Sequence, residues 1–541
     1  MRHNESRLAD PLASRYQFQD FEQLEPRLLL SGTHFVVNSL ADVVADDGIV
    51  TLREAVEAAN TNTALTADVL AGSSIDADLI TFDEAALQAE AGAGNPLRIT
   101  LNGTELWISD DLEITGLGPD ALTLDADSRS RVVRIDGYRT GVVLSDLMIA
   151  GGTAASYGGG IYNHDGTLTL SNVKVSGNTA SGGGGGIYNQ SGTLTLSSVT
   201  VSGNTASDDG GGIYNQSGTL TLSNVTVSGN TAETDGGGIY NRSTLTLSNV
   251  TVSGNTAADD GGGIYSRLGG TLTLDNSLVA LNQAGRDNDD LFGYVTATRD
   301  NLIGIDPGFA RAPSAGADGV WGTADDDRGD LRLSDTSIAI NRGDNALAVD
   351  PQGEPLTVDL DGAARVMDGV VDLGAYEYQG TVSSQRETVS SVVTTLSDVV
   401  DSTDGEVSLR EAVVYGNWSD SAVTFASSLA GGTTVLGGRE LGLYSSVEVD
   451  GGGIGGMTID ADGRSRVFRV AGNQTDVSLS GLTITGGNST TGSHGYGGGG
   501  VSKDSGTLTL SNVTVSGNVA STSGGGIYNR DGTLTLSNVT V

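Results

Sequence analysis

Gly210-Gly211-Gly212-Ile213-Tyr214-Asn215-Gln216-Ser217-Gly218-Thr219-Leu220-Thr221-Leu222-Ser223-Asn224-Val225-Thr226-Val227-Ser228-Gly229-Asn230-Thr231-Ala232 contains the period on which the rest of the chain is built. Apolar and polar residues alternate in Thr219-Leu220-Thr221-Leu222 and again in Val225-Thr226-Val227. A period of two means a strand with one buried face. The Gly and β-branched content excludes helix. Leu220, Leu222, Val225, Val227 and Ile213 are expected to point inward, and the Thr and Ser between them outward.

The segment recurs. Gly-Gly-Gly-Ile-Tyr places its Ile at Ile161, Ile187, Ile213, Ile239 and Ile264, in three steps of 26 residues and one of 25. The short step follows from Asn241-Arg242-Ser243-Thr244, which lacks the Gly of Asn215-Gln216-Ser217-Gly218-Thr219. Val501 and Ile527 repeat the 26-residue step much later. One unit of about three short strands cannot bury its apolar face alone. Stacked units can, with neighbouring strands pairing in parallel at ~4.8 Å. The fold class is therefore all-β, a parallel β-helix. Like residues then lie above like. Asn178, Asn204, Asn230 and Asn255 are expected to form a ladder at one turn, with stacked amides hydrogen-bonded along the axis, and Asn also tolerates the left-handed conformation such turns need. The Gly triplets fit a corner where backbone packs on backbone. Tyr162, Tyr188, Tyr214, Tyr240 and Tyr265 are expected to make an external stack. Either ladder is a candidate sugar surface, but residues equivalent in every rung are more simply explained by what every rung needs.

The chain has 541 residues, 81 Gly, no Cys and a formal net charge of -39, with Lys only at Lys174 and Lys503. Such a surface repels phosphate backbones, which argues against nucleic acid as partner. No stretch reaches the ~20 apolar residues of a membrane-spanning helix. Without Cys there is no disulfide framework.

Gly-Gly-Gly-Ile followed by a Gly-Asn-Thr turn resembles the repeats of chlamydial polymorphic outer-membrane proteins and the right-handed β-helix group that includes pectate lyases. The resemblance covers about 158–282 and 497–541, and implies a right-handed coil. It departs from the chlamydial pattern where Val201 of Val201-Ser202-Gly203-Asn204 stands in place of an aromatic residue. Leu24-Glu25-Pro26-Arg27-Leu28-Leu29-Leu30 resembles the LEPR-XLL motif of exported bacterial proteins, so residues 1–33 are read as a targeting segment.

A larger duplication encloses the repeats. Thr51-Leu52-Arg53-Glu54-Ala55-Val56 recurs as Ser408-Leu409-Arg410-Glu411-Ala412-Val413. The Asp-Ala-Asp stretch at Asp125-Ala126-Asp127 recurs at Asp460-Ala461-Asp462. Ser/Thr-Leu-Arg-Glu is a capping box that starts a helix. An amphipathic helix there closes the open apolar end of a coil. The segment resembles the CSLREA domain, with Val50 and Val407 in place of its Cys. An exposed ion pair or a cap is the expected role of Arg53 and Glu54, rather than catalysis. The expected organisation is two tandem modules, each with a short N-terminal capping helix. Residues 34–282 form the first cap and coil, 283–380 an irregular closing region, 381–391 a linker, and 392–541 a second cap and coil. The closing region resembles choice-of-anchor Q proteins at Asp372-Leu373-Gly374-Ala375-Tyr376-Glu377. The last module stops in mid-repeat at Val541, which suggests a fragment.

Candidate chemistry is sparse. Asp318, Asp325, Asp326 and Asp327 gather carboxylates around Gly in one loop, which suits either structural calcium or a solvated loop with Asx-turns. Asp208-Asp209 and Asp259-Asp260 sit at equivalent turns and read as solvated. Asn224-Val225-Thr226 and Asn249-Val250-Thr251 match a glycosylation pattern that the repeat itself generates. No catalytic set is assigned. The expected function is an exported bacterial cell-surface or extracellular protein, structural and adhesive, that contacts polysaccharide or other surface proteins. A polysaccharide lyase or glycoside hydrolase on the same scaffold is the alternative, and an autotransporter passenger a third reading.

Overall fold

The computed structural model of the protein describes residues 32–541, apart from 139, 286–289, 294, 315, 319–324, 326, 420, 453–454, 473–474 and 490–496. The chain is an all-β, right-handed parallel β-helix. Equivalent residues pair across rungs without slippage. Leu168 lies beside Leu194, Leu194 beside Leu220, Leu220 beside Leu245 and Leu245 beside Leu272. All five are fully buried, in the inward file that the alternation predicts. Ile161, Ile187, Ile213, Ile239 and Ile264 form a second file, and Val175, Val201, Val227, Val252 and Val279 a third. The 25-residue rung stays in register because its missing residue falls in the turn and pairing resumes at Thr219 with Thr244. Residues 97–152 are strands of the same sheets, beginning with Leu97–Thr100 and Leu106–Ile108.

Each Gly of a triplet has its own reason. Gly210 has φ +69, in the left-handed region. A Cβ on Gly211 would lie 2.4 Å from the Thr231 carbonyl oxygen, and one on Gly212 2.6 Å from that of Gly238. Neighbouring corners are in backbone contact.

The Asn ladder is hydrogen-bonded along the axis, but its backbone is not left-handed. Asn178, Asn204, Asn230 and Asn255 are fully buried and none has positive φ. Left-handed backbone falls instead on Asn172, Asn224, Asn249 and Asn276, at the corner between the two strand segments, and on the Gly before each ladder residue. The ladder residues are fixed by hydrogen bonds. Asn204 Nδ2 donates to Asn230 Oδ1 at 2.9 Å and to the Val175 carbonyl at 3.0 Å, while its backbone N–H also donates to Asn230 Oδ1. Asn282 extends the series and donates to Asp290. A second buried ladder, Asn163, Asn189, Asn215 and Asn241, runs along the Ile-Tyr-Asn strands with Nδ2 to Oδ1 distances of 2.8–3.0 Å.

Both Leu-Arg-Glu-Ala segments are helices. In α1 (Leu52–Thr61) Thr51 and Glu54 form the capping box, and Leu52, Ala55, Val56 and Ala59 join the apolar core. The short helix α2 (Glu84–Ala91), capped by Asp83, had no counterpart in the sequence reading. In α3 (Leu409–Ser419) the Glu411 carboxylate accepts from the Ser408 amide. Arg53 is buried, not exposed as expected, and Arg410 is half-buried. Arg53 makes two 2.8 Å bonds to Asp42 and also donates to the carbonyls of Thr104 and Glu105. Arg410 does the same with Asp398 and the carbonyls of Arg439 and Glu440. Arg53 and Arg410 thus tie helix, loop and rung together at two equivalent places.

After Ile303 the chain turns back along the flank of the first coil. Ser223 Oγ donates to the Val349 carbonyl at 2.7 Å and Ser248 Oγ to that of Leu347 at 2.8 Å. The Ala375 amide donates to Thr251 Oγ1, and Arg365, fully buried, donates to Asn249 Oδ1 at 2.9 Å. Outward polar residues of the middle rungs, such as Ser223, Thr226 and Thr251, are buried for this reason. Within 381–391, Ser383 and Arg386 are bonded to the Asp335 and Ile340 carbonyls. Leu278 and Leu302 share one apolar cluster with Val393, Leu409 and the rungs that follow.

Candidate functional site

With one flank covered, the face that carries Ile-Tyr-Asn stays open. Along these strands Ile and Asn point in, while Tyr and the next residue point out. That next residue varies: His164, Gln190, Gln216, Arg242 and Arg267. The Tyr rings form a continuous column. Centroid separations are 5.5 Å for Tyr162 to Tyr188, 4.9 Å to Tyr214, 4.7 Å to Tyr240, 4.9 Å to Tyr265 and 4.8 Å to Phe292. The column lies outside the aliphatic core but is not open to solvent, because each ring covers the next. Tyr188, Tyr214 and Tyr240 are 3%, 6% and 6% exposed. Guanidinium groups cover both ends: Arg131 lies 5.0 Å from the Tyr162 centroid and Arg469 5.3 Å from that of Phe292. Ring faces attract cations in this way.

The hydroxyls at the rim of the column are engaged by the variable residues. Tyr162 and Tyr188 donate to Gln190 and Gln216, and Arg242 donates to the Tyr214 oxygen at 3.3 Å. Burial pushes the Tyr188 and Tyr240 hydroxyls far above their ordinary value, so they act as neutral donors. Tyr157 comes from the preceding turn and stacks on Tyr188 at 4.5 Å, with 41% of its surface open.

Beside the column runs a file of aspartates. The Asp209 carboxylate accepts from Thr234 Oγ1 and from the Asp235 amide, and the Asp235 carboxylate from the Asp260 amide at 3.0 Å. These turns are solvated only in part: Asp208 is exposed, but Asp209, Asp235 and Asp259 are half-buried and Asp260 is buried. Desolvation, with the charges of Asp209, Asp260 and Asp259 adding to it, pushes Asp235 up to about 7. Desolvation, then the charge of Asp208, also raises Asp209. Tyr157, Gln190, Asp208, Gln216, Arg242 and Arg267 are among the residues around a groove of about 600 Å³ over this file and column.

Of the residues picked out from sequence, the Tyr series and Asp208-Asp209 meet at this groove, and the others do not. The Asn178, Asn204, Asn230, Asn255 ladder is internal and offers no surface. Asp318 and Asp325 are exposed, with the Asp325 carboxylate accepting from the Ala317 and Asp318 amides. Asp327 is held by Arg311 through bonds of 2.7 and 3.1 Å, and Asp326 lies outside the described residues. Among the described residues no group of three His, Asp or Glu side chains is placed to hold a metal ion. Asn224 and Asn249 of the glycosylation pattern are fully buried, closed to a bulky modification. Among the described residues no helix is long and apolar enough to cross a membrane. The Leu24–Leu30 motif lies outside the described residues. The Tyr series was a candidate sugar surface in the sequence, but the groove beside it was not, although a signal was there: the varying outward position that follows Ile-Tyr-Asn.

Residues 133–297 match the family model described as the right-handed β-helix region. Residues 512–530 match the repeat of the Chlamydia polymorphic membrane proteins. No curated protein matches the chain. Among solved structures, the PL6 family alginate lyase AlyGC is similar at 13% identity over 85% of this chain and 80% of that one, with a TM-score of 0.18. A mutant of the same enzyme, also 13% identical, covers 85% and 75% with a TM-score of 0.14. Likenesses this distant carry no argument about chemistry.

Proposed function

We propose that the protein is an exported bacterial cell-surface β-helix, structural and adhesive, which contacts polysaccharide through the groove over the tyrosine column. The observation that carries this reading is the groove itself. It brings varied polar side chains and an open aromatic ring together on one face of the first coil, while another flank is covered. A concave site with a few convergent polar groups is where a ligand is sought. The chlamydial repeat supports the surface location. Structural calcium in the loop of Asp318 and Asp325 is part of the same proposal. The direct test is affinity electrophoresis of the whole chain through gels containing soluble polysaccharides. Retardation that is lost in Arg242→Ala supports the reading, and unhindered migration through every gel refutes it.

The second reading, a glycoside hydrolase or lyase on this scaffold, has one observation in its favour: Asp235, raised to about 7, lies next to Asp209, which lines the groove. Release of reducing ends or unsaturated products from the same polysaccharides decides for it.

A further inference from the structure

Resting on the polysaccharide reading, we infer that the groove selects neutral glycans, whose hydroxyls both donate and accept, and excludes uronate polymers. Three observations carry this. First, the charged side chains on its walls balance: Asp208 and Asp209 against Arg242 and Arg267. Arg242 is engaged by the Tyr214 hydroxyl and interacts with the charge of Asp209, so it is not held in reserve for an incoming carboxylate. Second, the aspartate file extends behind the walls through Asp235, Asp259 and Asp260. Here the amide of one rung bonds the carboxylate of the previous one, and the file is already crowded with like charge. Another anion would add to the like charge that, after desolvation, raises two of these carboxyls above their ordinary range. The net charge of -39 acts in the same direction, most strongly at low salt, because at physiological salt only charges within the ~8 Å Debye length escape screening.

Third, the remaining groups suit sugar hydroxyls. Carboxylate oxygens of Asp208 accept, guanidinium and amide N–H groups of Arg267 and Gln216 donate, and a hydroxyl-bearing ring satisfies both kinds at once. Tyr157 supplies the apolar surface, with one partner ring at 4.5 Å and 41% of its area open, for the C–H side of a pyranose to lie on. The second run of repeats lacks this arrangement. There the same file reads Arg469, Ser502 and Tyr528.

The test is affinity electrophoresis and calorimetry of the full chain with neutral glucan, galactan and mannan, against alginate and polygalacturonate, at low and high salt. At least one neutral glycan is expected to bind with little dependence on salt, and the two uronates to leave migration unchanged. Tyr157→Ala is expected to weaken binding about tenfold, the scale of losing one interface anchor. Its unfolding midpoint, and a second variant Asp208→Asn with its carboxylate removed but its size kept, separate loss of binding from loss of fold. Binding of a uronate in preference to the neutral glycans, falling steeply with salt, overturns the selectivity while leaving the polysaccharide reading intact. Binding of none overturns both.

Discussion

Replacing Asp235 by Asn makes the aspartate file measurable. The side chain keeps its size and an oxygen to accept from the Asp260 amide, but loses its charge. In the folded chain burial and the neighbouring Asp209, Asp260 and Asp259 push this carboxyl from the ordinary aspartate value of 3.8 to about 7. The folded state therefore holds the proton where the unfolded chain, titrating near 4, has released it. Stability from this site is fully present below pH 4 and is lost as pH rises through 7. That interval corresponds to roughly 4 kcal/mol, at 1.36 kcal/mol for each tenfold step in the proton equilibrium. The site is only half-buried and water screens it, so about 2 kcal/mol is the expected effect. The other carboxylates of this acidic chain titrate over the same range, so the useful quantity is the difference between variant and parent. Urea unfolding followed by circular dichroism is to be run from pH 4.5 to pH 8.5. Asp235→Asn is expected to be near neutral at the acid end and stabilising by about 2 kcal/mol at the alkaline end. A difference that stays flat across this range, or a variant less stable than the parent at pH 8.5, would refute the like-charge account.

Asn230→Ala removes the partner of the Asn204 amide and Nδ2, the Val201 carbonyl and Asn255 Oδ1. It is expected to cost about 3–5 kcal/mol in urea unfolding, whereas Asn224→Gly at the left-handed corner is expected to change stability by less than about 1 kcal/mol. Equal effects would show that the two Asn series have been told apart wrongly. Arg53→Met strands the buried Asp42 carboxylate and is expected to cost about 3–5 kcal/mol, with early hydrogen exchange across α1. Unchanged exchange there would contradict its tying role. Millimolar calcium is expected to raise the melting temperature and chelator to lower it, and no shift in either direction removes calcium from the proposal.

The coil was legible because its cause is local and repeated. Alternation in Thr219-Leu220-Thr221-Leu222 fixes which side chains face in, and the 26-residue step fixes which residues lie above them. Identical rungs, however, look the same whether their outer face is bare or covered. Thr226 and Thr251 read as solvent-facing, and only the return of 344–375 along the flank buries them. The ladder Asn read as stacked, hydrogen-bonded amides, but where the left-handed backbone falls, on the preceding Gly and on the corner Asn, needed backbone angles. The Tyr column was visible as a series, but not that stacking at under 6 Å would seal the rings from water and leave their hydroxyl rim and Tyr157 as the accessible part. The groove depends on turns from successive rungs meeting strands, so no single unit displays it.

The covering of the flank bears on how the first coil comes apart. A stack of rungs held only by its neighbours unravels like a zip, one turn at a time from either end. Here Ser223, Ser248, Asn249, Thr251 and Asn276, drawn from three successive rungs, are all fastened to one backtracking segment about a hundred residues further on. Peeling the middle of the coil requires lifting that brace first, so those rungs are bound to open together and under pulling force should give one large event instead of a staircase.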